Sequence, residues 1–205
     1  MDSNGLVYVI DDDSALRDSF SFLLVSSGFS VQSFDSAEAF LAAAPPLTEG
    51  CILTDVRMPG LDGIELLHRL RDSGQAIPLI IMTGHGDVSL AVKAMKLGAT
   101  DFLEKPFDGD ALIKVVRSAF LTKPTGAASD SLCAELVSRL ASLSQRESQV
   151  LKGLVNGKTN KEIAREFDLS PRTVEVYRAK LMTKMQAGSI SELVRFAIKA
   201  GVVPS

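Results

Sequence analysis

Five short apolar runs, each followed by a longer stretch of helical periodicity, fill residues 1 to 121 and leave few folds open to this part of the chain. Strands are expected at Leu6-Ile10, Ser30-Phe34, Cys51-Thr54, Pro78-Met82 and Asp101-Glu104, with helices at about 14–27, 36–44, 63–73, 87–97 and 109–121. Strict strand–helix alternation forces parallel pairing, because each helix must carry the chain back across the sheet. The expected architecture is an α/β doubly wound five-stranded parallel sheet. Its ligand site should lie beyond the carboxyl ends of the strands.

After Leu143 the pattern becomes wholly helical, with helices at about 145–156, 160–167, 171–185 and 190–200. Each has a visible start: Ser144 with Glu147, Thr159 with Glu162 and Ser189 with Glu192 form S/T-x-x-E boxes, and Ser170-Pro171 joins an N-cap to a proline at the first helical position. Between the two patterns, Thr122 to Ala128 is small and polar and carries Pro124 and Gly126, with a further helix expected over 131–140. The expected organisation is therefore a 1–121 domain, a partly helical linker over 122–142, and a 143–205 four-helix domain.

Charge separates the same two parts. Residues 1–124 hold 17 Asp and Glu against 10 Lys and Arg, whereas 125–205 hold 8 against 12. An acidic part followed by a basic one suggests different partners, with a polyanion favoured for the second. The N-terminal residues lack a basic segment leading into a long apolar run, and no stretch has the roughly 18 apolar residues of a membrane span, so a cytoplasmic protein is expected. Cys51 and Cys133 stand far apart, outside any C-x-x-C spacing, which supports neither a disulfide framework nor a zinc site.

The chemistry is expected at the strand ends. Strand one runs into Asp11-Asp12-Asp13, strand three into Thr54-Asp55, strand four into Thr83 and strand five into Lys105-Pro106. Gathered on one edge, these supply two or three carboxylates, a hydroxyl and an ammonium. Crowded carboxylates repel, and hard oxygen donors favour Mg²⁺. A carboxylate beside Mg²⁺ can attack a phosphoryl group, since transfer depends chiefly on positioning and on neutralising the equatorial oxygens. The plainer alternative is a solvated loop at 11–13, a helix-capping Asp55 and a surface Lys105.

The segments VYVIDDD, LTDVRMPGLDG, IMTGHGD and DFLEKPF resemble, in order and position, the receiver domain of two-component response regulators, over residues 5 to about 121. The resemblance implies that Asp55 is the phosphoacceptor and that Asp11, Asp12 and Asp55 hold Mg²⁺ with the backbone carbonyl of Arg57. It also implies that Thr83 and Lys105 read the phosphate. Phe102 matches the aromatic switch position, or is a core phenylalanine. Arg57 and His85 match positions that tune aspartyl-phosphate lifetime, although His85 between two glycines also reads as a loop residue. An Asp-nucleophile phosphatase is the enzymatic alternative, but its D-x-D-x-T/V motif is broken by Ala15. The resemblance implies a stoichiometric acceptor, not an enzyme.

In the second part, the short turn Asp168-Leu169-Ser170 joins two helices as a helix-turn-helix. Along 171–185, Val174, Tyr177, Leu181 and Met185 share one side, which must be the core side. The other carries Arg172, Val176, Ala179 and Thr183, flanked by Glu175 and Lys180. Val176 and Ala179 suit thymine methyls, while Arg172 and Lys180 suit phosphates or guanine. Glu175 either accepts from cytosine or pairs with Arg172 or Arg178. Lys158, Asn160 and Lys161 open the preceding helix, where side chains and amides can hold backbone phosphate. A solvated face is the plainer reading.

This part resembles the LuxR-type four-helix DNA-binding domain through the run LSQRESQVLKGLVNGKTNKEIAREFDLSPRTVEVYRAKLMTKM. The resemblance brings Ile190, Leu193, Val194 and Ala197 into consideration for pairing two such domains. The whole chain resembles the FixJ group, activators of nitrogen-fixation and microaerobic genes. That likeness implies a sensor histidine kinase of the oxygen-sensing FixL kind, promoter double-stranded DNA and RNA polymerase as partners. It further implies a homodimer formed on phosphorylation through a surface that includes Val92, Met95, Lys96 and Asp101. A constitutive receiver scaffold that needs no phosphate is the alternative.

Overall fold

A computed structural model describes residues 4–45, 47, 49–84, 88–121, 136–188, 190–200 and 202. The chain forms two compact units, one α/β and one helical. The expected linker segment 122–128, His85, Cys133 and the Ser189 cap lie outside the described residues.

In chain order the segment up to Leu121 contains β1 (Leu6–Ile10), α1 (Ser14–Ser26), β2 (Ser30–Phe34), α2 (Ala37–Ala43) and β3 (Cys51–Asp55). It continues with α3 (Gly63–Asp72), β4 (Leu79–Thr83), α4 (Val88–Lys96), β5 (Asp101–Glu104) and α5 (Gly109–Leu121). The sheet is parallel throughout, in the order β2-β1-β3-β4-β5. Every residue of β3 and β4 is buried, because central parallel strands are covered on both faces. The edge strand β2 tolerates Ser30, Gln32 and Ser33 because only part of it is covered. Fourth-strand pairing is displaced by one residue from the expected 78–82, with Pro78 supplying only its carbonyl, to the Ile52 N–H.

One face of the sheet contributes Val7, Val9, Leu53, Ile80, Met82 and Leu103 to a core with Phe20 and Leu24 of α1 and Leu112, Val116 and Ala119 of α5. On the other side Tyr8 meets Phe34 and Phe40 ring to ring. The strand order reverses direction between β1 and β3, and the crevice above that pair is where a doubly wound sheet binds ligands.

The second unit contains a helix over residues 136–141, here α6, then α7 (Gln145–Val155), α8 (Asn160–Glu166), α9 (Pro171–Met185) and α10 (Ile190–Lys199). Complete capping boxes start α7 at Ser144 and α8 at Thr159, and Ser170 caps α9 ahead of Pro171. These caps satisfy amides that the first helical turn leaves without partners. Val150, Leu154, Ile163, Val174, Leu181 and Met185 form the buried interior. Gly153 permits the α7–α8 crossing, since a Cβ there would sit 2.6 Å from the Ile163 side chain.

Candidate functional sites

Register brings the strand-end residues together. Ile10 lies opposite Thr54, Asp55 opposite Met82 and Thr83 opposite Glu104, so Asp11, Asp55, Thr83 and Lys105 reach the same sheet edge within about one residue of one another. Asp11, Asp55 and Thr83 are buried, at 1%, 8% and 1% exposure. The Lys105 ammonium donates to Asp55 Oδ1 at 2.5 Å and to Asp11 Oδ2 at 3.1 Å. The other Asp55 oxygen, Oδ2, accepts from the Arg57 N–H at 2.8 Å. Lys105 is followed by a cis peptide bond to Pro106.

The electrostatics follow from that geometry. Burial works against the charge on Lys105, yet Asp55 and then Asp11 outweigh it and hold the ammonium pKa above its usual value. Burial pushes the Asp11 carboxyl up, while the Asp13 N–H and Lys105 pull it back. One cation thus faces two adjacent carboxyl groups.

The three acids after β1 divide their work. Asp11 faces Lys105, Asp12 is exposed, and Asp13 caps α1 by accepting from the Ala15 and Leu16 amides at 2.8 and 3.2 Å. Arg17 was not singled out in the sequence, although it donates to the carbonyls of Asp11 and Asp12 at 2.8 and 3.0 Å and so fixes the turn they occupy. Glu38 was also missed, and it accepts from Leu61 N at 2.7 Å across 23 residues. A position one turn into a helix after an acidic cluster signals Arg17. Nothing local signals Glu38.

Gly63 matters most among the glycines near the site. A Cβ there would lie 2.3 Å from the Asp55 carbonyl oxygen, so α3 starts against the backbone of Asp55 only because this residue has no side chain. Thr83 donates to Gly84 O at 3.4 Å, and Phe102 is buried, in keeping with the core alternative for its ring. On α4 and β5, Val92 and Met95 are buried, Lys96 is exposed and Asp101 is half-buried. Among the described residues no three His, Cys, Asp or Glu side chains are gathered closely enough to hold a metal by themselves. The oxygens of Asp11 and Asp55 nevertheless suit a hard cation that retains several waters, as Mg²⁺ does.

In the helical unit the two sides of α9 are as expected. Val174, Leu181 and Met185 are buried and Tyr177 is half-buried, while Arg172, Glu175, Val176, Ala179, Lys180 and Thr183 are exposed. Val176, at 51% exposure, is an apolar side chain that the fold leaves in solvent. It lies with Arg172, Thr173, Tyr177 and Lys180 along a shallow depression. At the start of α8, Lys161 is exposed and Asn160 half-buried, but Lys158 donates to Glu166 Oε2 at 2.8 Å. Its ammonium is therefore already engaged. Ile190, Leu193, Val194 and Ala197 are all buried in the single chain.

Comparison with known proteins finds two families in the chain. Residues 7–117 match the response regulator receiver domain, and residues 141–197 match the bacterial regulatory proteins of the luxR family. The chain is 58% identical to the transcriptional regulatory protein FixJ of Bradyrhizobium diazoefficiens, over 99% of both chains. It is 57% identical to FixJ of Azorhizobium caulinodans, over 97% of this chain and 94% of that one. Among solved structures, full-length FixJ from B. japonicum is 58% identical, with a TM-score of 0.58 over 99% of this chain and all of that one. Among the described residues, no helix is long and apolar enough to cross a membrane.

Proposed function

The chain belongs to the FixJ group of two-component response regulators, and on that premise we propose that Asp55 accepts a phosphoryl group from a histidine kinase and thereby governs DNA binding by α9. The observation that carries this reading is the Lys105 ammonium shared between Asp55 and Asp11. It marks Asp55 as the carboxylate beside both a cation and a second acid.

In this reading the domains are the receiver at 1–121, the linker at 122–142 and the DNA-binding domain at 143–205. Asp11, Asp12, Asp55 and the Arg57 carbonyl would hold Mg²⁺, which when bound neutralises charge on the phosphoryl oxygens. Lys105 orients the Asp55 carboxylate and then pairs with the new phosphate. Thr83 supplies a hydroxyl donor, and Phe102 follows its movement. The phosphoryl group stays on Asp55 stoichiometrically, so the chain acts as a switch.

Phosphorylation then favours a homodimer through α4 and β5, with Lys96 and Asp101 as the accessible polar members and Val92 and Met95 as apolar ones. Paired DNA-binding domains engage two half-sites of promoter DNA with greater effective affinity than one. Arg172, Glu175, Val176, Ala179 and Lys180 read the groove, and Lys158, Asn160 and Lys161 face the backbone. The regulated promoters are those of nitrogen-fixation and microaerobic genes, the kinase is FixL-like, and RNA polymerase is the downstream partner.

Intact-mass measurement after treatment with a kinase phosphodonor and Mg²⁺ tests this reading. One added phosphoryl group is expected on the native chain and none on Asp55→Asn. Full labelling of Asp55→Asn would overturn the assignment, and phosphate-independent DNA binding by a permanent dimer would favour the scaffold alternative.

A further inference from the structure

The reading end of α9 is held from its opposite end by a residue far outside the helix-turn-helix. Arg139, on α6, lies 46 positions before Met185 and donates through Nη1 to its carbonyl at 3.0 Å. Its Nη2 donates to Gln186 Oε1 at 2.8 Å. The Met185 carbonyl is among the acceptors that the last turn of a helix leaves without intrahelical partners, and a guanidinium there also suits the negative end of the helix dipole. Gln186 closes α9 in the left-handed region, at φ 53°.

A second tie runs beside the first. Lys184 donates to the Ser142 carbonyl at 3.3 Å and to Glu147 Oε2 at 2.7 Å, and the same Glu147 oxygen accepts from the Ser144 N–H at 2.8 Å. The C-terminal end of α9 is therefore attached both to α6 and to the turn between α6 and α7. Leu136, fully buried, anchors the start of the described α6.

We propose that Arg139 is a positioning residue for base readout, which makes the end of the linker a working part of the recognition element. At 15 residues, α9 is about 22 Å long. A tilt of about 5° at the tethered end moves the far end by about 2 Å, enough to break a hydrogen bond to a base edge. Phosphate contacts tolerate such a shift better, because they are made through long, mobile Lys and Arg side chains. Loss of the tether should therefore reduce discrimination between sequences more than it reduces attraction to DNA. The inference rests on α9 as the reading helix.

The test uses full-length phosphorylated protein and two duplexes of equal length, one selected by the native protein from random sequence and one unselected. Arg139→Gln and Arg139→Lys should each weaken binding to the selected duplex by about fivefold or more, while binding to the unselected duplex and its salt dependence stay unchanged. Gln186→Gly separates positioning from stability. Glycine is favoured at a left-handed helix end, so this variant keeps native stability, yet it removes one of the two Arg139 acceptors, leaving the Met185 carbonyl, and should reduce selectivity. Unchanged selectivity in all three variants would overturn the proposal, as would a parallel loss on both duplexes that Arg139→Lys restores, because that pattern describes a phosphate contact. Val176→Lys serves as the control for α9 itself. If it alters selectivity while the Arg139 and Gln186 variants do not, the tether is refuted and the reading helix stands; if none of them does, both fail.

Discussion

Lys105 Nζ lies 2.5 Å from Asp55 Oδ1 and 3.1 Å from Asp11 Oδ2, so one ammonium bridges two carboxyl groups brought together from the ends of different strands. Removing it leaves two like charges facing each other in a mostly buried site. Lys105→Met should lower thermal stability in metal-free buffer and recover more stability on Mg²⁺ addition than the native chain does. At 100 times the dissociation constant, metal binding contributes about 2.7 kcal/mol. Thermal unfolding with and without Mg²⁺ checks this, and an identical Mg²⁺ response in both proteins would refute it.

Gly63→Ala should destabilise the α/β unit by about 1–3 kcal/mol, since the new methyl meets the Asp55 carbonyl oxygen at 2.3 Å and the backbone must move. The same movement shifts the proposed phosphoacceptor, so phospholabelling should slow as well. Urea unfolding and a labelling time course read the two effects. Native behaviour in both would contradict the close approach.

Glu147 gives the helical unit an acid sensitivity. Lys184 first, then the Ser144 backbone N–H, lowers its carboxyl pKa to about 2 from an ordinary 4.5. A depressed carboxyl pKa adds stability above the unfolded value and loses it as pH falls through the folded one. Glu147→Gln should therefore cost about 1–3 kcal/mol at neutral pH, with Lys184 partly exposed, and the difference should shrink between pH 4.5 and 2. Denaturant unfolding at pH 7 and pH 3 measures it. A difference constant with pH would exclude the charged pair as its cause.

Val176→Lys should change which sequences are preferred, because it replaces an exposed apolar contact on the reading side of α9. Lys161→Ala should weaken binding to every sequence and reduce the salt slope by about one. Lys158→Ala should do less, since Lys158 must leave Glu166 before it can meet a phosphate. Fluorescence anisotropy across salt concentrations distinguishes these patterns. Equal effects of Val176→Lys on all duplexes would place Val176 away from the bases.

Much of the architecture was legible because its causes are local. Alternating apolar runs and helical periods foretold the strands and helices, and the boxes at Ser144 and Thr159 form with both hydrogen bonds expected of them. The two sides of α9 followed from residue angle alone. Asp13 was less legible: within a run of three acids, only the fold distinguishes the helix cap from the carboxylate that faces Lys105.

By itself the sequence determined the order of elements, the carboxyl-end location of Asp11, Asp55, Thr83 and Lys105, and the exposed side of α9. Those properties depend on hydrophobic period, capping chemistry and the geometry of parallel crossovers. Only the tertiary structure decided that Lys105 joins Asp11 to Asp55, that Glu38 holds Leu61, that Glu166 engages Lys158, and that Arg139 tethers Met185. Such partners meet through packing of separate elements, and neither spacing nor composition records the distance between side chains that folding brings together.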